Sequence, residues 1–129
     1  MRVFLPNVEV ATINQELCQR LGAQDGFSTG GAERLEAALN SIQDADIWEV
    51  GADLFIALSN CRPFLALNEA TAFGALNATL ALNMRAIRPG PIPMDLLLSR
   101  GWEGGERSSL IAWLREVVIP APASGHRIQ

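Results

Sequence analysis

The sequence predicts an all-α protein, a compact bundle of about six helices around one central buried helix. Three observations carry this. Apolar residues recur at helical spacing in several separate stretches, and no stretch alternates with period two for long enough to make a strand. The third is the run from Asn68 to Asn83, which carries a single charge, Glu69, among Ala, Leu and Phe. A helix without a charged face is expected to be buried on all sides. At 1.5 Å per residue it measures about 24 Å, right for the middle of a small domain and too short to span a bilayer.

Val8 to Leu21 reads as the first helix, with Val10, Ile13, Leu17 and Leu21 at helical spacing and Pro6 or Asn7 at its start. Gly22 ends it, and the loop GAQDGFSTGG follows. Ser28 or Thr29 is placed to cap the second helix, Ala32 to Ser41, which presents Leu35, Ala38, Leu39 and Ile42 on one side. Asp44 or Asp46 opens a third helix through Ser59, with Ile47, Val50, Leu54, Phe55 and Leu58 as its stripe. Pro63 then separates that helix from the central one. Ala70, Gly74 and Ala78 form a small-residue row there, and Gly74, which costs about 1 kcal/mol against Ala in a helix, points to a closely packed neighbour.

Pro89, Pro91 and Pro93 make an extended connector without regular hydrogen bonding. Met94 to Ser99 reads as a short helix and GWEGGE as a turn, so Glu103, Glu106 and Arg107 form a solvated cluster. Ser108 or Ser109 starts the last helix, packed through Leu110, Trp113, Leu114 and Val117. The expected organisation is one domain, residues 1–119, and a flexible tail, residues 120–129.

Composition excludes several chemistries. All ten cations are Arg and none is Lys, which removes Walker-type phosphate lysines and Schiff-base catalysis. The single His126 rules out a His-rich zinc site, and Cys18 and Cys61 are too far apart for a zinc motif, so no metal and no cofactor is expected. A net charge of −4 argues against DNA binding. Two cysteines and a start without an apolar secretory core fit free thiols in a cytoplasmic protein that does not enter the membrane.

RPFLALNEATAF, Arg62 to Phe73, resembles the signature of the Fic/Doc (Fido) family, whose common pattern is H-P-F-x-D/E-G-N-K/G-R, often followed by T-A in Doc-type members. Leu35 to Leu39 (LEAAL) looks like the family's L-E-x-A-L. Ala52 to Asn60 (ADLFIALSN) is similar to the helix leading into the motif, and Ala112-Trp113-Leu114 looks like its terminal A-W-L. The matches keep their order from Val8 to Val118. The resemblance implies a helical bundle around the motif helix. Doc-type members are toxins that transfer phosphate to a translation elongation factor, and Fic proteins transfer AMP. In both, the motif His is the base, the acid holds magnesium, and the Gly-Asn backbone with the following basic residues cradles phosphate.

Position by position, Pro63, Phe64, Asn68, Thr71 and Ala72 match, and Pro63, Phe64 and Thr71 are the expected motif scaffold. The chemistry does not match. The His position holds Arg62, which cannot act as a base; the acid position holds Ala66; the Gly position holds Leu67; the basic positions hold Glu69 and Ala70. Replacing two cations by one anion changes the local charge by three units. One charge pair at about 4 Å is worth on the order of 4 kcal/mol at an effective dielectric of ~20. Helix-dipole attraction of about 0.3–1 kcal/mol does not offset that.

The polar groups left at the motif are Cys61, Arg62, Asn68 and Glu69. Arg62 is expected to pair with Glu69, Asn68 to cap the helix, and Cys61 to be a buried free thiol rather than a nucleophile. The loop Gln24–Gly31 lies where Doc-like proteins carry the flap that guides a target segment. The expectation is therefore a Doc/Fic-like pseudoenzyme that acts by binding a protein partner, an antitoxin or another, with a homo-oligomer left open. The alternative is an enzyme that has reused the pocket for other chemistry. An active phosphate- or AMP-transferring toxin ranks third.

Overall fold

The structure, a computed structural model, describes residues 5–91 and 104–121. Among them are five helices and a two-stranded sheet: α1 (Asn7–Leu21), α2 (Gly31–Asn40), α3 (Ile47–Cys61), α4 (Asn68–Leu82), β1 (Arg85–Ile87), α5 (Gly104–Val117) and β2 (Val118–Pro120). The expected short helix Met94–Ser99 lies outside the described residues, as does the tail beyond Ala121.

α1 ends at Gly22, whose φ of 72° is a left-handed conformation that glycine adopts without strain, and whose N–H donates to the Cys18 carbonyl. Its buried stripe is Val10, Asn14 and Cys18, whereas Leu21, expected inside, is 64% exposed. α3 opens at Asp46, one of the two starts expected, and its carboxylate accepts the Glu49 N–H at 2.8 Å as an N-cap. α2 departs from expectation: its N-cap is Gly30, and neither Ser28 nor Thr29 caps it, because the Ser28 hydroxyl is turned to the carbonyls of Arg62 and Pro63.

α4 is the centre of the bundle and packs on α3, α1 and β1, while α3 also carries α2 and α5. Leu35, Leu54, Phe55, Leu58, Ala72, Leu76, Leu80, Leu110 and Leu114 make one continuous core between them. α4 is not buried on all sides, however: Ala70, Asn77 and Ala81 share an exposed face. The absence of charge marked a helix that needs little solvation rather than one fully enclosed, since alanine is tolerated on surfaces. Its small-residue row is used at one point, where a Cβ on Gly74 would lie 2.8 Å from Ile13 Cγ2 of α1.

Two further expectations are corrected toward the C-terminus. Arg85–Ile87 and Val118–Pro120 pair antiparallel, Ala86 opposite Ile119, so the proline-rich connector begins in a ladder and Pro120 is a strand residue rather than part of a frayed tail. Three residues are too few to reveal a period of two. α5 starts at Gly104, not at Ser108 or Ser109, because a first helical turn tolerates glycine better than a helix interior does. Arg107 is consequently on a helix and grips Asp53 of α3 with two hydrogen bonds, 2.6 and 3.1 Å. None of the helices, among the described residues, is long and apolar enough to cross a membrane.

Candidate functional site

The motif loop runs from the end of α3 to the start of α4, and both junctions are left-handed at non-glycine residues. Arg62 has φ 44° and Leu67 φ 61°. For L-residues this conformation costs about 1–2 kcal/mol each, so the loop must be held from outside. Four clamps do so.

The first is Arg34 of α2. Its guanidinium donates to the carbonyls of Cys61 (2.8 Å), Arg62 (3.0 Å) and Thr29 (2.7 Å) and to Ser28 Oγ (2.8 Å), tying the last carbonyls of α3 to the Gln24–Gly31 loop. The planar fork of arginine suits this many acceptors where a lysine could not span them. The second is Asn14 of α1, which is buried and donates to the Ala66 carbonyl (2.9 Å) and to Thr71 Oγ1 (3.1 Å). The third is Asn68, whose amide accepts from the Phe64 N–H and donates to the Phe64 carbonyl, both at 2.9 Å. Asn68 thus acts toward Phe64 as a neighbouring strand would; it is the first residue of α4 and not its N-cap, which is Leu67.

The fourth clamp is the Gln24–Gly31 loop. Phe27 and Phe64 form an antiparallel bridge, the Ser28 N–H donating to the Pro63 carbonyl (2.9 Å) and the Leu65 N–H to the Gly26 carbonyl (3.0 Å). The two rings stack with centroids 5.2 Å apart. Gly31 permits this closeness, because a Cβ there would lie 1.9 Å from the Pro63 carbonyl oxygen. Pro63, Phe64 and Thr71 are each held by a partner from another element, Ser28 on the Pro63 carbonyl, Asn68 on the Phe64 backbone and Asn14 on the Thr71 hydroxyl.

The four polar candidates do not converge on a common point. The guanidinium of Arg62 pairs with the carboxylate of Glu69 across the start of α4, as the sequence suggested, and both side chains are partly exposed. The amide of Asn68 is taken by Phe64. Cys61 Sγ leans back to the Leu58 carbonyl of its own helix at 3.8 Å. Burial pushes the Cys61 thiol above its ordinary value of 9.0, an effect the nearby Arg34 charge and a backbone hydrogen bond only partly offset. A thiol so placed is protonated at neutral pH and is a poor nucleophile. Among the described residues no cluster of three or more His, Cys, Asp or Glu could hold a metal ion.

Arg34 and Asn14 went unread in the sequence. Asn14 had a signal, a polar residue within the apolar stripe of α1; Arg34 had none, because its acceptors are distant backbone carbonyls. No protein-family model matches the chain, and no curated protein matches it significantly.

Proposed function

We propose that the chain is a Doc/Fic-like helical protein whose nucleotide-transfer motif is degenerate, and that it acts by binding another protein. The observation that carries this is the internal commitment of the motif loop. Arg62 and Glu69 neutralise each other where a phosphate would sit, and Asn14, Arg34 and Asn68 are engaged with the loop's own backbone and side chains. A phosphate arriving there must break the pair, and meets an acid and a leucine in place of basic residues and glycine.

The flap supplies the binding surface. Phe27 sits opposite Phe64 at a position where each residue's N–H and C=O point away from the other strand. Asn68 satisfies Phe64; the outward groups of Phe27 make no hydrogen bond among the described residues. Phe27 (41% exposed) and Leu65 (52% exposed) lie beside that edge. An extended segment of a partner can pair there and cover both side chains.

Isothermal titration with ATP and Mg²⁺ tests the reading, with no micromolar binding expected. Magnesium-dependent micromolar binding, with phosphate or AMP transferred to an elongation factor and lost in Arg62→Ala, would establish an active toxin instead. The reused-pocket alternative requires several of Cys61, Arg62, Asn68 and Glu69 to face one enclosed cavity, and their separate engagements count against it.

A further inference from the structure

The second sheet element lies at the other end of α4, and its hydrogen-bond pattern leaves one edge available. The Arg88 N–H donates to the Val117 carbonyl (2.8 Å) and the Ala121 N–H to the Met84 carbonyl (2.9 Å). With Arg85 opposite Pro120 and Ile87 opposite Val118, these bonds make Arg85 and Ile87 the non-bonded positions of the ladder. Their N–H and C=O groups therefore point away from β2, on the outer edge of β1. The sheet has no third strand among the described residues, and those backbone groups make no hydrogen bond there. The β2 edge is different, because Pro120 has no N–H to offer.

Charge decides what kind of strand fits. Arg85 has no carboxylate partner among the described residues; its guanidinium reaches only the Met84 carbonyl, at 3.3 Å. Arg88 has a distant one, Glu116 at 3.8 Å, with both side chains more than half exposed. Two copies of this chain paired edge to edge would bring four arginines, Arg85 and Arg88 of each, along one short seam, a like-charge crowding that is destabilising. Side chains alternate along a strand, so Arg85 and Arg88 project on opposite faces. At the Arg88 end lies a concavity of about 360 Å³ with Ile87, Pro89, Pro91 and Trp113 as its apolar walls and the Arg88 and Glu116 side chains at its polar side. Leu82 and Met84, 45% and 69% exposed, flank the other end.

We propose that the outer edge of β1 is a docking site for an extended segment of a protein partner that carries acidic residues three positions apart, with apolar residues between and beside them. The odd spacing puts one acid on each face of the incoming strand, one toward Arg85 and one toward Arg88. The segment's backbone pairs with Arg85 and Ile87, and an apolar residue next to the second acid enters the concavity. This site is separate from the motif loop and holds whether or not the pseudoenzyme reading does.

The probe is a short synthetic peptide of Thr and Val with two Glu three apart, titrated into the isotopically labelled full chain and followed by amide NMR and hydrogen exchange. Saturable binding is expected, with slowed exchange at the Arg85 and Ile87 amides. A same-composition peptide with its Glu two apart is expected to bind more weakly. Arg85→Glu with Arg88→Glu should weaken binding at least about tenfold. That double variant should instead accept the Lys-for-Glu peptide, a gain that misfolding cannot produce. Absence of saturable binding, amide changes centred on Gly26–Ser28, or indifference to charge reversal each overturns the proposal. Slowed Arg85 and Ile87 amides on self-association without peptide overturn it in favour of a second copy.

Discussion

Replacing Arg34 by alanine tests whether the motif loop is held by its surroundings. The guanidinium makes four hydrogen bonds, three to backbone carbonyls and one to Ser28 Oγ, all between 2.7 and 3.0 Å. Hydrogen bonds to a charged group contribute about 1.5–3 kcal/mol when shielded from water. Arg34 is exposed, so water competes and a value nearer ~0.5 kcal/mol per bond is appropriate, giving about 2 kcal/mol for the set. The lost carbonyl partners include the C-terminal carbonyl of α3, an end that has few other ways to be satisfied. For a chain of this size the loss corresponds to a fall in Tm of roughly 8 °C.

Urea unfolding measures the free energy, and an unchanged m-value would show that the denatured state is unaffected. Native-state hydrogen exchange supplies a local readout: the Ser28 and Leu65 amides, which close the bridge, should exchange faster by more than the global loss allows. Arg34→Lys keeps the charge but not the fork, and should recover less than half of the stability. A loss under about 0.5 kcal/mol in Arg34→Ala, or a lysine variant equal to wild type, would refute the clamp.

Three other substitutions test separate parts of the fold. Gly31→Ala should destabilise by about 2–4 kcal/mol in the same unfolding assay, because its Cβ would fall 1.9 Å from the Pro63 carbonyl oxygen and backbone cannot yield as a side chain can. Thr79→Val should raise stability by about 1 kcal/mol, read as a higher Tm, since Thr79 Oγ1 is buried without a hydrogen-bond partner among the described residues; a fall would mean that a water in the small adjoining cavity satisfies it. For Asp46, burial alone raises the carboxyl pKa, but the hydrogen bonds from Glu49 and the Arg115 charge outweigh it, so the folded value lies below the ordinary 3.8. Its contribution is therefore complete above that ordinary value and lost as pH falls through the folded one. Asp46→Asn should flatten this part of the acid limb of stability against pH.

How much of this was legible in the sequence depended on the range of the interactions. The α3 stripe, its Asp46 cap, the Gly22 stop and the start of α4 all rest on residues within a turn or two of one another, and their patterns could be read directly. β1 and β2 could not, because each is three residues long and is defined by a partner more than thirty positions away. Leu21 and Asn14 show a second kind of limit. Periodicity places Leu21 inside although it is exposed, and residue type places an amide outside, yet Asn14 is buried because Ala66 and Thr71, over fifty positions away, satisfy it. Asn68 was recognised as a helix-start residue, but which backbone groups it would bind depended on the left-handed turn at Leu67.

That turn bears on function more than any single side chain does. Leu67 stands where the Fic/Doc-like pattern has glycine, and it keeps a conformation that glycine adopts freely and leucine resists. Relaxing it would relieve about 1–2 kcal/mol locally, but would release the Ala66 carbonyl from Asn14 and disturb the geometry by which Asn68 holds Phe64. The strain therefore maintains the shape of the loop, and through Phe64 the position of the Gln24–Gly31 segment bridged to it. What the loop so held sets toward solvent is the Phe27 edge with Leu65 beside it. The loop is thus held against its own preference, its polar side chains engaged within the protein and a strand edge without a partner among the described residues turned outward.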